Sequence, residues 1–184
     1  MNTETIPDVP RRRAMSWRSY FVRCLLWLVP MWLVMTIFGH FCFLGRDVQI
    51  GETSTPWHWF LAVRGVPEPI VKGQLVAMMT DDRHRPWFGE GQMMAKKVAG
   101  LPGDVVVVKG DRLYLNGIPY AYLRGETLDR IRRKAPEFVL AFQEPVTIPP
   151  GKVLLVNDRI VSFDGRYWGL LDTQQIVGRA FPLR

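Results

Sequence analysis

Cysteine is nearly absent from this chain: Cys24 and Cys42 are the only two, and both fall in one apolar stretch. The remainder is therefore expected to hold no disulfide, no Cys-based metal site and no thiol chemistry. The three histidines, His40, His58 and His84, show no zinc-type spacing, so no metal or other cofactor is expected. Acidic residues are outnumbered, 17 against 24 Lys and Arg, for a formal net charge of +7. That excess raises nucleic acid as a partner, but its placement argues against it. Arg11, Arg12, Arg13, Arg18 and Arg23 precede the most apolar stretch, and a second cluster, Arg130, Arg132, Arg133 and Lys134, lies far away. No aromatic RNA-binding signature joins the two, and neither an internal repeat nor a low-complexity tract occurs.

What the chain does have is a long uncharged run. From Cys24 to Leu44 there are 21 residues without a formal charge. At about 1.5 Å per residue, a helix of that length spans the ~30 Å hydrocarbon core of a bilayer. The run is too long for a cleavable signal, and His40-Phe41-Cys42-Phe43 offers no small-x-small cleavage site. It is apolar all round, unlike a core helix with one stripe. A single permanent anchor at 24–44 is expected, behind a basic cytoplasmic tail at 1–23 whose first 18 residues are read as disordered. Five arginines before the run, and mainly Arg46 just after it, predict a cytoplasmic amino terminus. Residues 47–184 then form an exported, periplasmic domain on the inner membrane, with the lipid bilayer as one partner.

Past the anchor, strand signals outnumber helix signals. Leu75–Met79, Val105–Val108, Leu113–Leu115, Phe138–Leu140, Val153–Val156 and Ile176–Gly178 read as strands, separated by Gly and Pro. Asn116-Gly117 is a strong turn dipeptide. Only Thr127–Lys134 has a helical pattern, short and basic, read as a solvated turn of helix. The fold class is mainly β, with one N-terminal transmembrane helix.

Three segments carry chemistry. Ser54 lies in Gly51-Glu52-Thr53-Ser54-Thr55-Pro56-Trp57, close to the end of the apolar run; alone, it reads as a turn residue. In Met93-Met94-Ala95-Lys96-Lys97-Val98-Ala99-Gly100-Leu101-Pro102-Gly103-Asp104, two lysines interrupt an apolar strand. Lys96 shares a face with Met94 and Val98, Lys97 with Ala95 and Ala99. Periodicity does not choose between them, but one lies against an apolar surface. There, burial lowers a lysine's pKa from about 10.4 towards the ~7–8 of a general base. In Ser162-Phe163-Asp164-Gly165-Arg166-Tyr167-Trp168-Gly169, Asp164 and Arg166 can pair on one side of a strand. A Ser-His-Asp site is disfavoured: nothing brings Ser54 to His58, or Asp81 and Asp82 to His84, and the histidines read as surface or interfacial.

In this order, the segments resemble the type I signal peptidase family. The lysine segment is similar to that family's K-R-x-x-G-L-P-G-D box, and the last segment to its S-x-D-S-R-Y-W-G box, with Gly165 where the family usually has Ser. The resemblance implies a signal-peptidase-like β catalytic domain with a Ser/Lys dyad. Ser54 is then the nucleophile and Lys96 its base, with Ser162 orienting Lys96 and Asp164 and Arg166 bracing the site. The backbone N–H of Ser54 helps to hold the oxyanion. It further implies cleavage of signal or pro-sequences from exported precursor proteins, small side chains at the −1 and −3 positions of the cleaved bond, and no cofactor.

The nucleophile segment departs from the family's S-x-S-M-x-P pattern. Pro56 follows Ser54 after one residue, and Glu52 stands where many relatives carry a hydroxyl that donates to the oxyanion; Thr53 is a substitute. A shifted alignment makes Thr55 the nucleophile. The Val156–Val161 stretch keeps only Arg159 of the usual G-D-N-R-D-N. Ser-x-Pro, the single anchor and the small size are similar to conjugative-transfer peptidases of the TraF type, which mature pilin precursors. A general type I signal peptidase and a non-catalytic anchored assembly factor are the alternatives.

Overall fold

The structure, a computed structural model, describes residues 16–46, 54–85 and 87–183. The expectation of a disordered tail falls almost wholly on residues 1–15, outside the described residues. Helix α1 runs Trp17–Phe41 and carries Pro30 within it. Its 25 residues make it about 37 Å long, long and apolar enough to cross a membrane. Thr36 returns its hydroxyl to the carbonyls of Trp32 and Leu33 (2.7 and 2.9 Å), so the one hydroxyl in that half of the helix is satisfied locally. Cys42, Phe43 and Leu44, part of the apolar run, leave the helix and open strand β1 (Cys42–Arg46).

The second unit, from Phe41 onward, is built on strands. After β1 come β2 (Trp59–Arg64), β3 (Leu75–Met79), β4 (Met93–Gly100), β5 (Val105–Lys109), β6 (Arg112–Leu115) and β7 (Ile118–Tyr122). Helix α2 (Gly125–Lys134) follows, then β8 (Val146–Thr147), β9 (Lys152–Leu155), the single helical turn α3 (Gly165–Trp168), β10 (Leu170–Asp172) and β11 (Ile176–Leu183). Seven strands form an antiparallel sheet in the order β1-β2-β11-β3-β4-β9-β10, and four form a smaller one, β7-β6-β5-β8. The β5–β6 hairpin holds the register Val106↔Leu115 and Val108↔Leu113. Asn116 and Gly117 join β6 to β7 with φ of 52° and 78°, the left-handed pair that a tight hairpin turn needs.

Alternation along β3 and β4 decides what points where. The pairs Val76↔Lys96 and Met78↔Met94 place these four side chains on one face, and Val98 continues it. That face meets Val106, Leu113 and Leu115 of the small sheet, and Phe163 and Tyr167 close the core. Removing each such side chain from water contributes roughly 1.5–3 kcal/mol. The opposite face is lined with small residues, Ala62, Ala77, Ala95 and Ala180, under the ring of Phe60.

Two expectations fail. Phe138–Leu140 forms no strand. Phe138 turns in against Phe163 (ring centroids 6.4 Å apart), whereas Val139 is exposed, so this apolar run plugs a core edge without a strand partner. The Asp164–Arg166 pair exists, but on a turn of helix and not on a strand. Asp164 caps α3 by accepting from the Arg166 N–H (3.2 Å), a local bond that competes with strand pairing.

Candidate active site

Lys96 is 2% exposed, carried inward by the strand alternation that also buries Met94 and Val98. Its Nζ donates to Ser162 Oγ at 3.1 Å, and Ser162 is fully buried. Lys97 points the other way, half-exposed, and pairs with Asp158. The alternation that periodicity left open is thus resolved by the core: the inward face belongs to Lys96.

Ser54 and Thr55 are both buried, and both line the same small cavity as Lys96, about 30 Å³ in volume, with Phe60, Phe88 and Met94 among its walls. The Thr55 hydroxyl donates to the carbonyl of Trp57 (2.7 Å), closing the turn that Pro56 occupies. Glu52 and Thr53, the sequence candidates for a second oxyanion donor, lie outside the described residues.

The Ser162–Arg166 segment is held by the Asp164–Arg166 ion pair and the hydrogen bonds around it. Arg166, 1% exposed, donates from Nε and one terminal nitrogen to the two oxygens of Asp164 (2.8 and 2.9 Å). Its remaining N–H groups reach the carbonyls of Tyr122 (2.7 Å), Asn157 (2.6 Å) and Arg159 (3.3 Å). An arginine fork suits this task because it satisfies several fixed acceptors at once. Glycine at 165 is explained by space: a Cβ there would stand 2.6 Å from the carbonyl oxygen of Leu155.

Sequence reasoning missed Asn157. It is buried, its Oδ1 accepts from the backbone N–H of Lys97 (2.9 Å), and its Nδ2 donates to the carbonyl of Ser54 (3.4 Å). Its own N–H is held by Asp164 (3.0 Å). The side-chain amide therefore joins the serine segment to the lysine strand, and the backbone N–H of the same residue ties both to the Asp164–Arg166 pair. An Asn directly after the apolar run of β9 was the available signal, since such an Asn is buried only with its bonds made.

His84 is also misread by sequence: it is fully buried, not at the surface. Its Nδ1 lies 2.9 Å from an Asp81 oxygen, and its ring packs tilted against Trp168 with centroids 4.8 Å apart. Asp81 is itself clamped by Arg83 (2.7 Å) and Gln175 (2.8 Å). Burial raises the Asp81 pKa, but the Arg83 and Gln175 hydrogen bonds and the nearby positive charge outweigh it and hold the carboxyl well below its usual range. The His84 carbonyl in turn accepts from the N–H of Phe88 (3.2 Å), which lines the small cavity. His58 is exposed on the turn before β2. Among the described residues, no three His, Cys, Asp or Glu side chains cluster closely enough to share a metal ion.

The antiparallel β domain thus carries a buried lysine bonded to one serine and sharing a cavity with another. Residues 20–183 match the family model described as signal peptidase, peptidase S26, and the chain belongs to that family. It is 39% identical over 94 residues to a signal peptidase I of Bacillus caldolyticus, covering 46% of this chain and 49% of the relative. It is 40% identical over 93 residues to signal peptidase IB of Staphylococcus aureus, again covering 46% of this chain and 49% of the relative. The chain thus spans about half the length of these curated relatives. A crystal structure of a signal peptidase I from Enterococcus faecalis matches 62% of this chain and 98% of its own at 26% identity, with a TM-score of 0.38.

Proposed function

We propose that this chain is a membrane-anchored serine endopeptidase that removes signal or pro-sequences from exported precursor proteins. The observation that carries the reading is Lys96, buried on the core face, hydrogen-bonded to Ser162 and lining the cavity that Ser54 also lines. Removal from water favours the neutral amine over the ammonium. The neutral Lys96 amine takes the proton of Ser54 as the hydroxyl oxygen attacks the scissile carbonyl. The backbone N–H of Ser54 donates to the oxyanion. As the intermediate collapses, the C–N bond breaks, the lysine returns the proton to the leaving amine, and an acyl-enzyme remains. Lys96 then deprotonates the water that releases the acyl group. Ser162 orients the amine, and Asp164 and Arg166 hold Ser162 in place.

The volume of the small cavity supports a narrow substrate class. About 30 Å³ between Phe60, Phe88 and Met94 accepts a methyl-sized side chain and little more. Helix α1 serves as the anchor; Arg11, Arg12 and Arg13 before it, with Arg18 and Arg23 in its first two turns, favour a cytoplasmic amino terminus and a periplasmic β domain. The Ser-x-Pro pattern at Ser54 favours a conjugative-transfer peptidase of the TraF type, with a pilin precursor as substrate.

The test is cleavage of a co-expressed pilin precursor and of a generic exported precursor in membranes. Precursor is expected to accumulate with Ser54→Ala and Lys96→Ala, but not with Thr55→Ala or Lys97→Ala. Cleavage of only the generic precursor would place the chain among general signal peptidases. Wild type that cleaves neither would leave an anchored assembly factor.

A further inference from the structure

The small cavity meets β4 along Met93 to Lys96, next to Ser54 and Thr55. Ser54 also lines a second cavity of about 300 Å³, which meets β4 further along the strand, at Lys97, and is bounded by Trp57, Leu75, Asn157 and Phe181. That cavity shares Lys97, Asn157 and Asp158 with a third, of about 330 Å³, whose far wall is Tyr120 and Tyr122 of β7. The spaces therefore follow one another: small cavity, Ser54, second cavity, the Lys97–Asp158 ion pair, and then the tyrosines.

The far end is built like a landing surface for an extended chain. β7 is the outer strand of its sheet, and Tyr120, Tyr122 and Ile160 are 42%, 46% and 47% exposed. Arg112 stacks on the Tyr122 ring (4.5 Å to its centroid), and Arg166 bonds the Tyr122 carbonyl, so that ring is positioned from two sides. A tyrosine braced in this way offers a large contact area at low entropic cost. Of the cations that line the two larger cavities, Lys97 is paired with Asp158 and Arg166 with Asp164, whereas Arg179 lies over the Phe181 ring (5.0 Å to its centroid).

We infer that the second and third cavities form an extended subsite for the mature segment of the precursor, downstream of the scissile bond. This rests on the peptidase reading above. A methyl-sized pocket takes the side chain on the acyl side of the bond, so the leaving segment must depart across Ser54 in the other direction. There it finds the larger cavities, the Lys97–Asp158 pair beneath it, and Tyr120 and Tyr122 at the end. Six extended residues cover about 20 Å, and an acidic side chain among them meets the Arg179 charge.

The test uses the full chain in detergent micelles and internally quenched peptides with one common upstream sequence, followed by either one or six downstream residues. The wild type is expected to cleave the longer peptide with a kcat/KM about tenfold higher. Changing one downstream residue from Asp to Lys should lower that advantage. A Tyr120→Ala/Tyr122→Ala variant, both positions exposed, should lose the advantage while cleaving the short peptide at the wild-type rate. The milder Tyr120→Phe/Tyr122→Phe variant should retain most of it. Equal wild-type cleavage of both peptides overturns the subsite and leaves the peptidase reading intact. Equal loss on both peptides in the alanine variant also overturns it, because the tyrosines then act through the fold. Wild type that cleaves neither peptide nor any protein precursor removes the peptidase reading, and the subsite with it.

Discussion

Lys96 Nζ and Ser162 Oγ lie 3.1 Å apart across 66 residues of sequence, both buried, one on β4 and the other at the end of a turn closed by its own N–H to the Arg159 carbonyl. Replacing Ser162 with Ala removes the group that fixes the amine's direction. A fall in kcat of about 10- to 100-fold with little change in KM is expected, the scale of one lost hydrogen bond to a buried charged or reacting group. Steady-state kinetics on a precursor peptide checks it, and an unchanged kcat would remove Ser162 from the site.

Lys96→Met gives the opposite signs for activity and stability. The thioether fills nearly the same volume against Val76, Met94 and Val98 without burying a basic group. Cleavage should fall to background while the melting temperature equals or exceeds that of the wild type, as measured by circular dichroism. A marked loss of stability would mean that Lys96 is retained for packing.

Arg166 should tolerate no substitution. Its removal leaves Asp164 buried beside three carbonyls that have lost a donor, those of Tyr122, Asn157 and Arg159. Breaking one side of such a pair costs about 3–5 kcal/mol, and Lys cannot reproduce the fork. Urea midpoints for Arg166→Ala and Arg166→Lys should both drop sharply.

Gly165→Ser, which restores the residue usual in the family, should destabilise this particular chain. The new Cβ meets the Leu155 carbonyl oxygen at 2.6 Å, a backbone atom that can yield only by moving β9. Forced packing of this kind costs typically about 1–3 kcal/mol. Thermal unfolding of the variant reads it, and a neutral result would show that β9 shifts freely.

Stability should fall on mild acidification, because His84 is buried neutral. Burial holds its pKa below the ordinary 6.5, and attraction to Asp81 offsets this only in part. Above about pH 6.5 neither the folded nor the unfolded state carries the proton. Below it the unfolded chain binds a proton that the folded chain resists, so stability drops as pH falls from there towards the folded-state pKa. Asp81, whose pKa is also lowered, keeps its own contribution until the pH falls below its ordinary 3.8. His84→Gln should flatten the slope between about pH 6.5 and 5 in chemical denaturation.

The strands around Val105–Val108, Leu113–Leu115 and Leu75–Met79 were legible because β-branched or apolar runs between turn residues leave little else to form. β2 and β7 were missed. Trp59–Arg64 reads as irregular until β1 and β11 flank it, and Ile118–Tyr122 contains Pro119, which only an outer strand accepts. At the site, the Lys96/Lys97 alternation was readable, but its phase was not. Which lysine points inward depends on Val76 and Val98 facing the small sheet, a long-range pairing. The roles of Asn157 and His84 were hidden for the same reason: each is defined by partners on other segments, and a polar residue carries no local mark of what it will bond.

Asn157 has a mechanical consequence. Its single amide grips the carbonyl of Ser54 at one end and the backbone N–H next to Lys96 at the other. A shift of the Asn157 loop therefore carries both segments together, as a common mount carries two lenses. The spacing between proposed nucleophile and base is set by one short, stiff side chain and not by tolerances accumulated across two sheets. The sheets are then free to drift in sequence while the reacting geometry stays in alignment.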